Sequence, residues 1–405
     1  MHWLKLGLLN VGRNKRRSLA AILITSIATA GILSAMGFAL FTYQSLQEFA
    51  IRTTGNVVLS HPDYFQKEEN LPMDLGVAIA VDKLKALQNH EQVKAVLPHI
   101  QLTGLISNGE KSTIFMGRGV QHEDFYYLAP TLSVDAGKVL SVVAKTSADA
   151  EVMLGKGLAK SLNAQVGDEL TLMTTTVDGV LNALDVVVRG IFRTGIIEVD
   201  KRALYLTVQD AQTLLMTDKV TSYSVYLYED AKRPAVVESI KTSLPMLGVS
   251  HWQEQAMLYK SVKSLYNRLF GVMGFIVICM VAFSIYNAMS MTVVERTREI
   301  GTLRSLGAHP REIVRDFMCE SAWIGVMGIA LGGLMLGVVF VALILLDVQM
   351  PPPPGQTNGY PLRIALSLTG SMIVSAAVFL LCLFTAAFTS MRAINKPIPE
   401  ALVHV

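Results

Sequence analysis

The residues that could carry out acid–base or metal chemistry are scattered along this 405-residue chain. Five histidines lie in its polar central region, at spacings that match no metal-ligand pattern: His61, His90, His99, His122 and His251. A His-Glu-x-x-His sequence and a Gly-x-Ser-x-Gly turn are both absent from the chain. We therefore predict surface or hydrogen-bonded structural roles for these histidines, with no catalytic residue and no metal site.

Nucleotide chemistry has no support in the sequence either. A phosphate-binding loop needs Gly-x-x-x-x-Gly-Lys followed by Ser or Thr, so that backbone N–H groups surround the phosphates. That pattern does not occur, and the Gly-Lys-Gly at 155–157 is interpreted as a strand-to-helix turn. The chain is predicted not to be an enzyme and to bind no cofactor itself.

The composition is that of a membrane protein. Hydrophobic residues make up 51% of the chain and charged residues 17%, with a mean hydropathy of +0.42, whereas soluble proteins carry about 25% charged residues. The net charge of +3, without a dense basic stripe, argues against a nucleic-acid partner. Region 44–268 contains none of the three cysteines and is predicted to fold without disulfides.

Four apolar runs contain no Asp, Glu, Lys, Arg or His, and they occupy 19–41, 269–291, 322–346 and 364–391. Each can cross a hydrocarbon core of about 30 Å as a helix, which takes about 20 residues. The first run is longer than the roughly 7–15 apolar residues of a signal peptide, so we expect a retained anchor. Because ion-coupled carriers need ionisable groups at membrane depth, the energy is expected to come from a partner.

Basic residues predict which side of the membrane each segment occupies. Lys and Arg are concentrated before the first run, in 292–321 and in the tail, whereas 347–363 contains only Arg363. Since such residues accumulate in cytoplasmic segments, both termini and 292–321 are predicted to be cytoplasmic. The large region 44–268 is then outside.

Region 44–268 mixes strand and helix patterns. Asn108-Gly109 and Asp178-Gly179 each predict a hairpin turn, while strands are predicted at 204–208 and 222–228. Helices are predicted near 81–88, 156–162, 209–216 and 236–243. The predicted fold class is an α-helical membrane protein with four transmembrane helices plus a large α+β extracytoplasmic domain. Its segments are a cytoplasmic amphipathic start (1–18), transmembrane helix 1 (19–43), an outside α+β domain flanked by helical extensions of the spans (44–268), transmembrane helix 2 (269–291), a cytoplasmic loop (292–321), transmembrane helix 3 (322–346), an outside Pro-rich loop (347–363), transmembrane helix 4 (364–391) and a cytoplasmic tail (392–405).

Helical periodicity continues beyond the first run and begins before the second. The apolar positions that continue it are Leu46, Phe49, Leu258, Val262, Leu265 and Tyr266. We interpret them as a stalk that carries motion between membrane and domain. The alternative is that they belong to ordinary short helices of the domain.

Small residues four apart mark two of the runs as packing surfaces. The pairs are Gly31/Ala35, Gly328/Gly332 and Gly333/Gly337. Such residues let helices approach closely in lipid. They serve either contacts within one chain or the seam of a dimer.

The segment 294–310 is the most specific local pattern, and it reads Val-Glu-Arg-Thr-Arg-Glu-Ile-Gly-Thr-Leu-Arg-Ser-Leu-Gly-Ala-His-Pro. Ile300, Leu303 and Leu306 share one helix face, while the charged residues project elsewhere. Gly307 suits a helix C-terminus and Pro310 the first turn of the next helix. These features indicate a short amphipathic helix at the inner membrane surface, unless the segment only joins two spans.

This segment resembles the loop of the permease family that includes MacB, FtsX and the LolC–LolE pair. The layout is also similar: a basic start, one span, a large outside domain and three further spans. The resemblance implies a coupling helix that docks on a separate cytoplasmic ATPase, which would bind ATP and Mg. The residues implied in this helix are Glu295, Arg296, Arg298, Glu299, Gly301, Arg304, Leu306 and Gly307.

The resemblance also implies the function. It indicates a multi-pass permease subunit of an ABC transporter in the bacterial inner membrane. This subunit would pair with a second permease chain in a homo- or heterodimer and would contact membrane lipids. ATP hydrolysis by the partner would move the periplasmic domain (mechanotransmission) for release or export of a lipoprotein or another amphiphile. A periplasmic adaptor or carrier is a further partner that the resemblance allows but does not require. The alternative is a signalling scaffold like FtsX, which activates a periplasmic partner without transport.

Overall fold

The computed structural model describes residues 7, 9, 11–13, 15–64, 72–141, 150–255, 257–296, 301–302, 304–305, 307, 309–350 and 360–394. The chain divides into two compact units. The helical unit comprises Met1–Gln44, Val262–Gln349 and Pro361–Val405, and the α/β unit comprises Ser45–Ser261 and Met350–Tyr360.

The helices and strands of the described residues are numbered in chain order. The helices are α1 (Lys15–Thr54), α2 (Val81–Gln88), α3 (Asp124–Leu128), α4 (Lys156–Leu162), α5 (Ile197–Asp200), α6 (Val208–Leu215), α7 (Arg233–Ser243), α8 (Trp252–Gln255), α9 (Met257–Glu295), α10 (Pro310–Leu346) and α11 (Leu368–Ile394). The strands are β1 (Val57–Ser60), β2 (Val93–Ser107), β3 (Ser112–Val120), β4 (Ser133–Gly137), β5 (Glu151–Gly155), β6 (Glu169–Thr175), β7 (Leu181–Arg193), β8 (Ala203–Thr207), β9 (Ser222–Leu227), β10 (Gly248–His251), β11 (Gln349–Met350) and β12 (Tyr360–Pro361).

Among the described residues, four helices are long and apolar enough to cross a membrane, which confirms the predicted membrane part of the fold class. They are α1, α9, α10 and α11. Side chains from all four form one core, which includes Ala21 of α1, Ile285 of α9, Phe317 of α10 and Ala386 of α11. Because every helix contributes to this core, the helical unit is a packed bundle.

The fourth helix begins later than predicted. The apolar run starts at residue 364, but α11 starts at Leu368. Ala365 donates its backbone N–H to the Gly37 carbonyl at 2.9 Å, and Ile364 is buried beside it. These residues are apolar because they pack on α1, and hydropathy does not distinguish that role from a helical turn.

Six strands of the α/β unit close into a ring. The pairing runs from β2 to β3, β8, β5, β7 and β6, and β6 then pairs with β2. Phe115, Leu154 and Leu206 belong to the core that this ring shares with α6. A closed ring leaves few unpaired strand edges.

The N-terminal half of β2 leaves the ring and joins a second group of strands. It pairs with β9, which pairs with β1, which pairs with β10. β2 is therefore shared by both groups. The C-terminal end of α1 lies next to this second group, because Gly55 and Asn56 are all that separates it from β1.

Candidate functional site

The predicted coupling residues lie at the end of α9 and between α9 and α10. Arg296 extends α9, since its N–H donates to the Thr292 carbonyl at 3.1 Å. Gly301 is buried, Arg304 is half-buried, and Gly307 has a φ of +91°, a conformation that suits glycine at a helix end. Arg298, Glu299 and Leu306 lie outside the described residues, as does the side chain of Glu295. The coupling role stays a prediction.

A buried ion pair joins the two helices that flank this segment. The Arg296 Nη1 and Glu320 Oε2 atoms are 3.8 Å apart, and the two residues are only 9% and 2% exposed. Sequence reasoning missed Glu320, which stands two positions before the third apolar run. The signal was available: an acidic residue at the border of a run, within an Arg-rich segment, needs a cationic partner if the helix is packed there.

Two of the predicted glycines bring α10 against α1. A Cβ at Gly328 would lie 2.7 Å from the Thr25 side chain, and one at Gly332 would lie 2.8 Å from the Ser26 carbonyl oxygen. A Cβ at Gly31, Gly333 or Gly337 would meet none of the described residues within 4 Å. Of the two predicted glycine pairs, Gly328/Gly332 therefore forms a contact between helices among the described residues, and Gly333/Gly337 does not.

Gly37 is a packing glycine that was not predicted. At Gly37, a Cβ would lie 2.3 Å from the Ile364 side chain and 3.0 Å from the Ala365 carbonyl oxygen, whereas the predicted Ala35 is half-buried. Gly37 lies in a run rich in small residues, where spacing alone does not tell which of them faces a neighbour.

The predicted stalk residues belong to α1 and α9. In the helical unit, the Tyr266 ring lies 6.3 Å from the Phe38 ring and 5.7 Å from the Phe270 ring, and Tyr43 donates a 2.6 Å hydrogen bond to Asn267. Contacts between α1 and α9 therefore continue at this end of the helices. Among the other predicted stalk positions of α9, Val262 is half-buried and Leu265 is exposed, and the side chain of Leu258 is not among those described. In the α/β unit, Leu46 is half-buried and Phe49 is exposed.

A buried polar cluster in the α/β unit surrounds His99, in keeping with the hydrogen-bonded role expected of the histidines. The His99 Nε2 atom is 2.6 Å from Asp124 Oδ1, and its Nδ1 atom is 2.9 Å from Arg118 Nη2. Ser224 Oγ is also 2.9 Å from Nδ1 and donates to the Thr54 carbonyl at 2.7 Å. The cluster thereby ties the last turn of α1 to β2, β3, β9 and α3.

The His99 ring is neutral in this environment. Burial is the main cause that lowers its pKa below 6.5, and the Arg118 charge lowers it further, while Asp124 acts in the opposite direction. A neutral ring that donates from Nε2 to Asp124 and accepts at Nδ1 from Arg118 satisfies both contacts.

This pKa shift predicts a pH dependence of the α/β unit. Below pH 6.5 the unfolded histidine binds a proton that the buried ring does not, so stability is fully present above pH 6.5 and falls as the pH is lowered. The slope for one proton approaches about 1.4 kcal/mol per pH unit. Amide exchange of β2 and β9 between pH 7 and 5 measures it. His99→Gln should flatten the slope and His90→Gln should not, and equal slopes in all three proteins would contradict the assignment.

Comparison with known proteins shows which families this architecture resembles. The MacB-like periplasmic core domain model matches residues 18–243, and the FtsX-like permease C-terminal model matches residues 271–398. The lipoprotein-releasing system transmembrane protein LolC of Neisseria meningitidis is 27% identical over 63% of this chain and 63% of its own length. The macrolide export ATP-binding/permease protein MacB of Nitrobacter winogradskyi is 27% identical over 62% of this chain and 38% of its own.

A solved structure is similar as well. The periplasmic region of MacB from Actinobacillus actinomycetemcomitans aligns with a TM-score of 0.38 at 13% identity, over 52% of this chain and 95% of that one. The matched part of this chain spans less than two thirds of the LolC and MacB sequences. The two family models cover separate stretches, and the MacB-like model alone matches more than half of the chain. The chain therefore belongs to the FtsX-like permeases with a MacB-like periplasmic core domain, the LolC and MacB type of ABC-transporter permease.

Proposed function

We propose that this chain is a permease subunit that converts ATP hydrolysis by a separate cytoplasmic ATPase into motion of its MacB-like core. The observation that carries the proposal is the match of the FtsX-like permease model to 271–398, which contains the predicted coupling segment. In this proposal the chain lies in a bacterial inner membrane with both termini in the cytoplasm and the α/β unit in the periplasm. The active form contains two permease chains.

The helices support transmission of force. A straight α-helix is stiff because each residue is held by hydrogen bonds to the turns on either side. α1 runs unbroken from Lys15 to Thr54, and the described part of α9 runs from Met257 to Glu295. Both extend well beyond the roughly 20 residues that a bilayer requires. We infer that displacement at their cytoplasmic ends reaches the α/β unit.

The cargo is proposed to be a lipoprotein or a similar amphiphile. The LolC relative carries lipoprotein release in its name, and the charge-free apolar runs offer no ionisable group with which to bind a transported ion. Purified chain with its ATPase, in proteoliposomes, should release a fluorescent triacylated lipoprotein only with ATP. Release of a macrolide instead would assign the MacB type of cargo. ATP-dependent activation of a periplasmic hydrolase without release of either would favour the signalling scaffold.

The coupling role is tested by charge reversal. Exchanging the charges of Arg298 and Glu299 (Arg298→Glu with Glu299→Arg) should reduce stimulation of the recruited ATPase at least about tenfold, equal to about 1.4 kcal/mol. The reason is that like charges would then meet at the docking surface. Membrane insertion and the melting temperature should not change.

A matched control exchanges another pair of charges on the same chain. Glu48 and Arg52 form an ion pair one turn apart on α1, outside the coupling segment. Glu48→Arg with Arg52→Glu should leave ATPase stimulation at the wild-type level. Wild-type stimulation in the Arg298/Glu299 variant would remove the docking role from this segment.

A further inference from the structure

The Arg296–Glu320 pair holds opposite charges inside the helical bundle. Removing such groups from water is costly, and only a close countercharge offsets the cost. Within the described residues, no hydrogen bond is donated to the Glu320 Oε2 atom. The Arg296 guanidinium, with Nη1 3.8 Å from this atom, is the cationic group that forms an ion pair with it among the described residues. The carboxylate is thus held mainly by its attraction to Arg296.

The ion pair connects the end of α9 to a position inside α10. Arg296 follows the last residue of α9, whereas Glu320 lies nearly three turns into α10. The predicted coupling residues that follow Arg296 all lie in sequence between these two partners. The ion pair therefore closes the base of the segment that contains them.

The N-terminal segment packs against the same point. A Cβ at Gly7 would lie 2.9 Å from the backbone carbonyl carbon of Cys319, the residue before Glu320. Val11 is buried in the core that contains Ile313 and Phe317 of α10. Glu320 is therefore enclosed by three segments of the chain: the N-terminal segment, the end of α9 and α10.

We propose that Arg296 and Glu320 are positioning residues that make α9 and α10 move as one body when the coupling segment is displaced. This inference rests on the proposed function. An apolar contact of the same size would stabilise the bundle equally well, but it would let the helices slide past one another. The attraction between two buried charges falls as they separate, so it fixes the register of α9 against α10.

Three variants test the proposal. Arg296→Met leaves the Glu320 carboxylate buried without its main countercharge, Glu320→Gln removes that charge at nearly constant shape, and the third variant combines both. Arg296→Met should reduce ATPase stimulation at least about tenfold, a change of about 1.4 kcal/mol. Adding Glu320→Gln to Arg296→Met should cause little further loss, because both changes remove the same attraction. Effects that simply multiply would overturn the proposal.

A second readout does not need the ATPase. Met291 and Val326 are exposed, at 50% and 47%, on α9 and α10. Spin labels on Met291→Cys and Val326→Cys, with the three native cysteines replaced, report the distance between the helices. The distribution should be narrow in the wild type and broad in all three variants, because each of them lacks the attraction between the two charges. An unchanged distance distribution in Arg296→Met would refute the proposal that the ion pair fixes α9 against α10.

The control is Glu312→Gln, which removes an exposed charge from the same helix and retains a capping side chain. ATPase stimulation and the distance distribution should both match the wild type in this control. A broad distance distribution would count against a specific role of the Arg296–Glu320 pair. If the wild type recruits no ATPase, the proposed function fails, while the distance measurement still decides whether Arg296 and Glu320 fix the helices.

Discussion

Gly332→Val is expected to separate α1 from α10 and to lower the free energy of unfolding of the helical unit by about 3 kcal/mol, the upper part of the range for overpacking. The new Cβ would lie 2.8 Å from the Ser26 carbonyl oxygen and 2.8 Å from the Thr29 Cβ. Neither neighbour can move aside, since one is a backbone atom and the other is fixed to the backbone. The helices must therefore move apart, and close helix contacts are what stabilise a bundle in lipid.

The adjacent glycine provides a matched control. Gly333 lies on the same helix, but a Cβ there would meet nothing within 4 Å. Gly333→Val should leave stability within about 0.5 kcal/mol of the wild type, because valine has a slightly higher helix propensity than glycine. Unfolding of the purified chain in mixed micelles, followed by circular dichroism, measures both variants. Equal losses would show that helix propensity or detergent contact is responsible, rather than the α1–α10 contact.

Local signals in the sequence predicted local structure well. The Asn108-Gly109 and Asp178-Gly179 turns are confirmed, with φ of +88° and +80° at the two glycines and strands paired on either side. The helices predicted at 81–88 and 156–162 have the observed bounds. Turn chemistry and short-range periodicity depend on neighbouring residues, so one stretch of sequence is sufficient to reveal them.

Features that depend on distant residues were not predicted. The strand ring closes through β6 and β2, where Met173 pairs with Leu105 across 68 positions. Nothing near either residue indicates that pairing. The buried state of Glu320 has the same origin, because it depends on Arg296 and on the N-terminal segment. The glycines of α10 show the limit most clearly: Gly332 and Gly333 are adjacent and equal in sequence terms, but only Gly332 meets another helix.

Asp124→Ala should be the most damaging single change in the polar cluster of the α/β unit. It removes the acceptor for the buried His99 Nε2 at 2.6 Å and for the Gln121 N–H at 2.9 Å. It also leaves the Arg118 charge without the nearby carboxylate. Unsatisfied buried donors cost about 1–3 kcal/mol each, more when a charge is involved, so we expect a loss of about 4 kcal/mol. Amide exchange of β2, β3 and β9 in the full chain measures it.

Asp168→Ala is the appropriate comparison, because Asp168 accepts a hydrogen bond from the N–H three residues earlier, as Asp124 does, but is exposed and, among the described residues, has no histidine partner. Its loss should be about 1 kcal/mol, the net value of one ordinary hydrogen bond. Combining Asp124→Ala with His99→Leu should cost less than the sum of the two changes, since each removes the partner that the other leaves unsatisfied. Additive losses would show that His99 and Asp124 stabilise the unit independently, and the cluster could not then be what fastens the end of α1 to the strands.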